Sequence, residues 1–123
     1  MAHNTADNPG ATPLSLPATP EIHAFSFPIR VYWEDTDAGG VVYHAAYVCF
    51  LERARTEWLR MLGVSQQEWR DREDMIFVVR DMQLGFRAPA KLDDVLEVTV
   101  KVHELKRASV VFTQRIVRKH DAQ

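Results

Sequence analysis

One helix dictates what this chain can become. From Tyr47 to Leu62 apolar residues recur every third or fourth place: Tyr47, Phe50, Leu51, Ala54, Trp58, Met61 and Leu62. Arg53, Arg55, Thr56, Glu57 and Arg60 fall on the other side. That spacing predicts an amphipathic helix over about residues 43–62, with Gly63 as its C-terminal stop. A stripe this broad must lie on another layer. The flanking segments are strand-like, so the covering layer is a sheet. Cys49, within the apolar part of this helix, is expected to be packing.

The flanks alternate. Ile29, Val31 and Trp33 interleave with Arg30, Tyr32 and Glu34, predicting a strand over 27–34. After the long helix, Ser65 and Glu68 have capping-box spacing, so a short helix is expected over 66–72. The apolar run 75–79 is a strand that could continue to Phe86. Residues 87–94 connect, with Pro89 unable to donate to a ladder. Val98, Val100 and Val102 give a two-faced strand; Lys106 and Arg107 mark a tight turn; 110–118 is a further alternating strand. The fold class is therefore α+β: a long central helix wrapped by a mostly antiparallel sheet.

With 123 residues one domain is expected. Residues 1–24 are read as a disordered N-terminal tail: Pro9, Pro13, Pro17 and Pro20 punctuate Ala, Thr and Ser, and neither a basic start nor an apolar segment marks a signal peptide. Residues 25–123 form the domain. A formal charge of −2 speaks against a nucleic-acid partner. No apolar run is long enough to span a membrane. A single cysteine allows no intrachain disulfide and fits a reducing cytoplasm. The other histidines, at 3, 23, 103 and 120, lack metal-ligand spacing, so no metal site is expected.

The chemistry concentrates at the strand-to-helix junction, Asp35-Thr-Asp-Ala-Gly-Gly-Val-Val-Tyr-His44. The first turn of a helix has amides without internal partners, and the aligned peptide dipoles attract negative charge there. A carbonyl docked near Tyr43 and His44 would have its developing oxyanion held by those amides. Asp37, across a Gly39-Gly40 loop that lets backbone approach a ligand closely, is placed to attack the carbonyl or take a proton from water. The same residues also suit an ordinary N-cap and loop. Asp35 fits capping better than chemistry. The His44 side chain could orient substrate or move a proton, or simply bond locally.

The run from Tyr32 to His44, followed by Tyr47 and Glu52-Arg-Ala-Arg55, closely resembles the hotdog-fold acyl-CoA thioesterases. It is most similar to the 4-hydroxybenzoyl-CoA thioesterase-like branch, and within it the Tol-Pal-associated acyl-CoA thioesterases. The likeness continues through Phe77-Val-Val79, Ala90-Lys-Leu-Asp-Asp94 and Phe112-Thr-Gln-Arg115, covering about 25–118. It implies hydrolysis of an acyl-CoA to a free acid and coenzyme A, without metal or cofactor. The family's catalytic carboxylate falls on Asp37, its following glycine on Gly40, and its oxyanion amide near His44. Tyr43 and His44 join the implied catalytic set, and Gly40, Val41, Lys106 and Arg107 the substrate-binding set. Lys106 and Arg107 match a basic turn that meets coenzyme A phosphates in some members, or are solvated turn charges.

The resemblance also implies a homodimer or homotetramer, with acyl carrier protein as a conceivable carrier. Members usually have one more interior strand after the position of Arg118. Its apparent lack would leave ladder groups of its neighbours unpaired. The rival reading is a weak or inactive hotdog protein that binds cell-envelope or phospholipid-synthesis proteins. A dehydratase of the same fold fits the Asp-Thr-Asp-Ala-Gly-Gly run poorly.

Overall fold

A computed structural model describes residues 2–7, 25–73 and 76–119. The long helix α1, His44–Met61, runs across an antiparallel sheet. Its buried residues are Phe50, Leu51, Ala54, Trp58 and Leu59. They share one core with the sheet's inner face, namely Leu96, Val98, Val100, Val102, Val110 and Phe112. Each large side chain buried in this way contributes about 1.5–3 kcal/mol. The Trp58 indole meets the Phe112 ring edge-on at 5.2 Å.

The helix ends as its sequence demands. Gly63 takes φ +85 and donates to Arg60 O, while Val64 N–H reaches back to Leu59 O. These two reverse bonds satisfy carbonyls that the last turn would leave open. A Cβ at Gly63 meets nothing within 4 Å, so only backbone conformation opposes a side chain. Gly63→Ala should therefore cost about 1 kcal/mol, read from the urea midpoint at constant m-value.

Strand β4, Val95–Leu105, organises the sheet. It pairs with β2 (Phe25–Arg30), β5 (Ser109–Gln114) and β6 (Ile116–Arg118). The expected single strand over 110–118 is split at Arg115, where the Thr99 hydroxyl accepts the Arg115 amide at 2.9 Å and the Thr99 amide donates to Arg115 O at 2.8 Å. A short helix α2, Gln66–Glu73, follows α1, with the Ser65 hydroxyl accepting the Glu68 amide at 3.4 Å. β3 is Val78–Leu84; Met75, which the sequence reading placed in it, lies outside the described residues.

Four expectations need correction. The strand expected over 27–34 ends at Arg30, and Trp33–Asp35 is a turn of 3-10 helix. Trp33 is 80% exposed and Tyr32 61%, so the alternation does not carry into the core. Met61 is exposed, while Leu59 is buried in its stead. Cys49 is exposed, because it sits on the side of α1 turned away from Phe50 and Leu51.

The fourth concerns the N-terminus. Within the expected tail, Ala2–Asp7 forms a strand, β1, antiparallel to both β5 and β3. The sheet runs β2-β4-β5-β1-β3 with β6 on β4. β1 thus lies between β5 and β3 and is paired with both. The reason is that unpaired ladder groups on β5 and β3 accept any extended segment within reach. The rest of the expected tail lies outside the described residues.

Candidate active site

The junction between β2 and α1 is held by backbone bonds on every side. Asp35 is buried, and its carboxylate accepts the Tyr32 amide at 2.8 Å. Its carbonyl accepts the Tyr43 amide at 2.8 Å. Thr36 and Val42 form a bridge, and Asp37 N–H donates to Val41 O at 2.9 Å. Val42 N–H reaches Ala90 O at 2.8 Å, tying the loop to the connection before β4. Asp35 is therefore the structural carboxylate of the pair.

Asp37 is the open one. It is exposed, and its Oδ1 accepts the Gly39 amide at 2.8 Å. Among the described residues it has no ion pair. Gly40 takes φ +79 and donates its amide to Asp37 O at 3.0 Å, closing the turn. Both glycines have a reason. Gly40 supplies a left-handed conformation that disfavours side chains. At Gly39 a Cβ would stand 3.1 Å from Asp37 Oδ1, so a side chain there would push on the carboxylate. Gly39→Ala should leave thermal stability nearly unchanged and, with Asp37 as the candidate reacting group, lower kcat by about tenfold, since small misplacement of such a group is costly. Steady-state kinetics beside a thermal melt checks both.

α1 begins immediately beyond this loop. Tyr43 is its N-cap, no side chain caps it, and its first turn holds no acidic residue. The sequence reading placed acceptor-free amides near Tyr43 and His44. The Tyr43 amide is already taken by Asp35 O, which leaves His44 and Ala45, in a turn where a helix provides no internal acceptor. The rings of Tyr43 and His44 lie 4.4 Å apart and tilted, both exposed. Val41 contributes its carbonyl to the turn.

Lys106 and Arg107 are elsewhere. They form the turn between β4 and β5, with Lys106 N–H on Ser109 O at 2.9 Å and Lys106 Nζ 3.7 Å from Glu104. The Asp37 loop is tied next to the opposite end of β4, on the order of 30 Å away at the usual rise per strand residue. One chain does not bring the basic turn to Asp37. Glu52, eight residues past His44, pairs with neither arginine beside it; it accepts the Thr56 hydroxyl at 2.5 Å.

Sequence reasoning missed Gln114 and Arg55. Gln114 is fully buried; its Nε2 donates to Leu51 O at 3.1 Å and its Oε1 accepts Arg55 at 2.9 Å, fastening α1 to β5. Burial lowers the Arg55 pKa, opposed by the field of Glu52. Arg55 also lines a cavity whose wall includes Leu59, Phe77 and Phe112. Only a polar residue inside an otherwise apolar alternation, as in Phe112-Thr-Gln114, hints at such a tie.

No cluster of three metal-ligating side chains occurs among the described residues, and none of their helices is long and apolar enough to cross a membrane.

Comparison with known proteins identifies the family and the fold. The family model of the Thioesterase superfamily matches residues 39–123. The acyl-CoA thioesterase YbgC of Haemophilus influenzae is 52% identical over 96 residues, covering 78% of this chain and 71% of that protein. The acyl-CoA thioester hydrolase YbgC of Escherichia coli O6:H1 is 57% identical over 93 residues, covering 76% and 69%. Among solved structures, a hypothetical protein from Thermus thermophilus superposes with a TM-score of 0.73 at 34% identity, over 77% of this chain and 73% of that one. A probable thioesterase from Bartonella henselae gives 0.66 at 28%, over 81% and 95%. A helix wrapped by an antiparallel sheet, an open carboxylate before an uncapped helix and these likenesses converge: the chain has the hotdog fold and belongs to the thioesterase superfamily.

Proposed function

We propose that this chain hydrolyses acyl-CoA thioesters to a carboxylic acid and coenzyme A. The carrying observation is the exposed Asp37 carboxylate, outside any ion pair among the described residues and fixed by the Gly39 amide in a loop that leads straight into the uncapped first turn of α1. The thioester carbonyl docks on the His44 and Ala45 amides. Asp37 then attacks the carbonyl carbon, or removes a proton from a water that does. Either route builds negative charge on the carbonyl oxygen, where the two amides and the helix dipole stabilise it. Collapse expels the coenzyme A thiolate, which in the water route takes up the proton that Asp37 removed and so restores the carboxylate. If Asp37 attacked, water hydrolyses the resulting anhydride and restores the carboxylate.

Relatives named as acyl-CoA thioesterases support the substrate class. Tyr43, the His44 ring, Gly40 and Val41 frame the acyl-carrying end. Lys106 and Arg107 serve coenzyme A phosphates only if supplied by a second copy, which fits a homo-oligomer. β3 ends the sheet order and carries Val78 and Val79 half exposed, a suitable edge for such a contact. Acyl carrier protein is an alternative carrier, and the cytoplasm, where coenzyme A thioesters are made, is the proposed location.

A panel of acyl-CoAs from short aliphatic to aromatic, followed by release of free thiol, tests the activity. At least one should be turned over well above the uncatalysed rate. Release no faster than buffer across the whole panel would remove the enzymatic reading in favour of a binding protein.

A further inference from the structure

Ala90 meets the junction from two directions. It is buried, and its amide and its carbonyl are both spent there. The amide donates to the Tyr47 hydroxyl at 3.0 Å, and the carbonyl accepts the Val42 amide at 2.8 Å. The peptide that carries this amide is held on its other side as well, where Arg118 Nη1 donates to Pro89 O at 3.1 Å. Pro89 has no amide hydrogen to give, so the bond to α1 falls on Ala90.

Tyr47 lies one turn into α1, three residues beyond His44. No side chain caps that turn. Bonds from outside the helix set its place instead: Asp35 O on the Tyr43 amide, and the Ala90 amide on the Tyr47 hydroxyl. The Tyr47 ring is half-buried and braced by Phe50, edge-on at 6.1 Å, and by Phe86, tilted at 5.6 Å. The hydroxyl is therefore presented from a braced arm. On the far side of Ala90, Val42 bridges Thr36, and the Asp37 amide donates to Val41 O. Ala90 thus stands between the helix turn that carries the His44 and Ala45 amides and the loop that carries the Asp37 carboxylate.

We propose that Tyr47 is a positioning residue for thioester hydrolysis. Acting through Ala90, its hydroxyl sets the spacing between the Asp37 loop and the first-turn amides of α1. The inference rests on the reading above, in which carboxylate and amides act on one carbonyl. Small errors in such spacing cost rate rather than affinity. In this role the hydroxyl transfers no proton.

Two variants and two readouts test this on the full chain. Tyr47→Phe removes the hydroxyl and keeps the ring; Tyr47→Leu removes both. Tyr47→Phe should lower kcat by about tenfold, with KM within about twofold and the shape of the kcat–pH curve unchanged. Hydrogen exchange followed by NMR, which needs no substrate, should show the Ala90 and Val42 amides exchanging about tenfold faster or more in Tyr47→Phe, with Val98 and Val100 in β4 as in the parent. An active parent whose Tyr47→Phe variant keeps its kcat, or keeps its exchange at Ala90 and Val42, would overturn the inference and leave the hydrolase reading standing. A changed pH curve would overturn it in favour of proton transfer by the hydroxyl. Loss of rate in Tyr47→Leu alone, in step with a lower melting temperature, would overturn it in favour of plain packing. A parent that turns over no acyl-CoA would remove the hydrolase reading itself, and the role in rate with it.

Discussion

Asp37→Asn is expected to lower kcat for acyl-CoA hydrolysis by about 1000-fold, the middle of the range for loss of a positioned acid–base group, with KM nearly unchanged. That factor corresponds to about 4 kcal/mol of lost transition-state stabilisation. The loss falls on kcat because, in the proposed mechanism, the carboxylate acts on the carbonyl only as bonds change and other groups hold the coenzyme A portion. Folding should be preserved. The amide oxygen of Asn can still accept the Gly39 amide that Asp37 Oδ1 takes at 2.8 Å. Asp37 is exposed and outside any ion pair among the described residues, so no buried charge is orphaned. A variant within tenfold of the parent, with an intact circular dichroism spectrum, would show that the chemistry lies with another group.

His44→Pro should cost about 100-fold in kcat, while His44→Ala should stay within a few-fold of the parent. Removing one oxyanion donor typically has an effect of the first size. The comparison works because Pro deletes the amide hydrogen and Ala keeps it; both delete the imidazole. Position 44 is the first residue of α1, where proline is well accepted. The preceding Tyr43 has φ −64 and ψ 137, the extended conformation that a following proline prefers. The helix should therefore start in the same place with one donor fewer. Equal losses in the two variants would move the role from the amide to the ring.

Much of this was written locally. The three-and-four spacing from Tyr47 to Trp58 announced the helix, and Gly63 its end, because both depend on neighbours within one or two turns. Gly39 and Gly40 marked the loop for a similar reason: each position demands backbone that a side chain would disturb. What local reading missed depends on distant partners. Trp33 continues an apolar alternation, yet the chain has already turned into a 3-10 segment fixed by the Asp35 carboxylate. Whether the Tyr43 or the His44 amide is open depends on a carbonyl eight residues upstream of Tyr43. The break at Arg115 needs Thr99, on another strand. β1 was invisible for the same cause: Ala2–Asp7 has no strand preference of its own and is extended because β5 and β3 make it so.

The short stretch just before β4 grips both halves of the junction at once. Ala90 O takes the Val42 amide, Asp94 O takes the Val31 amide, and Val31 O takes the Asp93 amide. The acid-bearing loop is therefore not a flap that can loosen on its own. It is riveted to the connection that leads into the most heavily paired strand among the described residues, so heating should extinguish turnover and far-ultraviolet ellipticity over one shared transition.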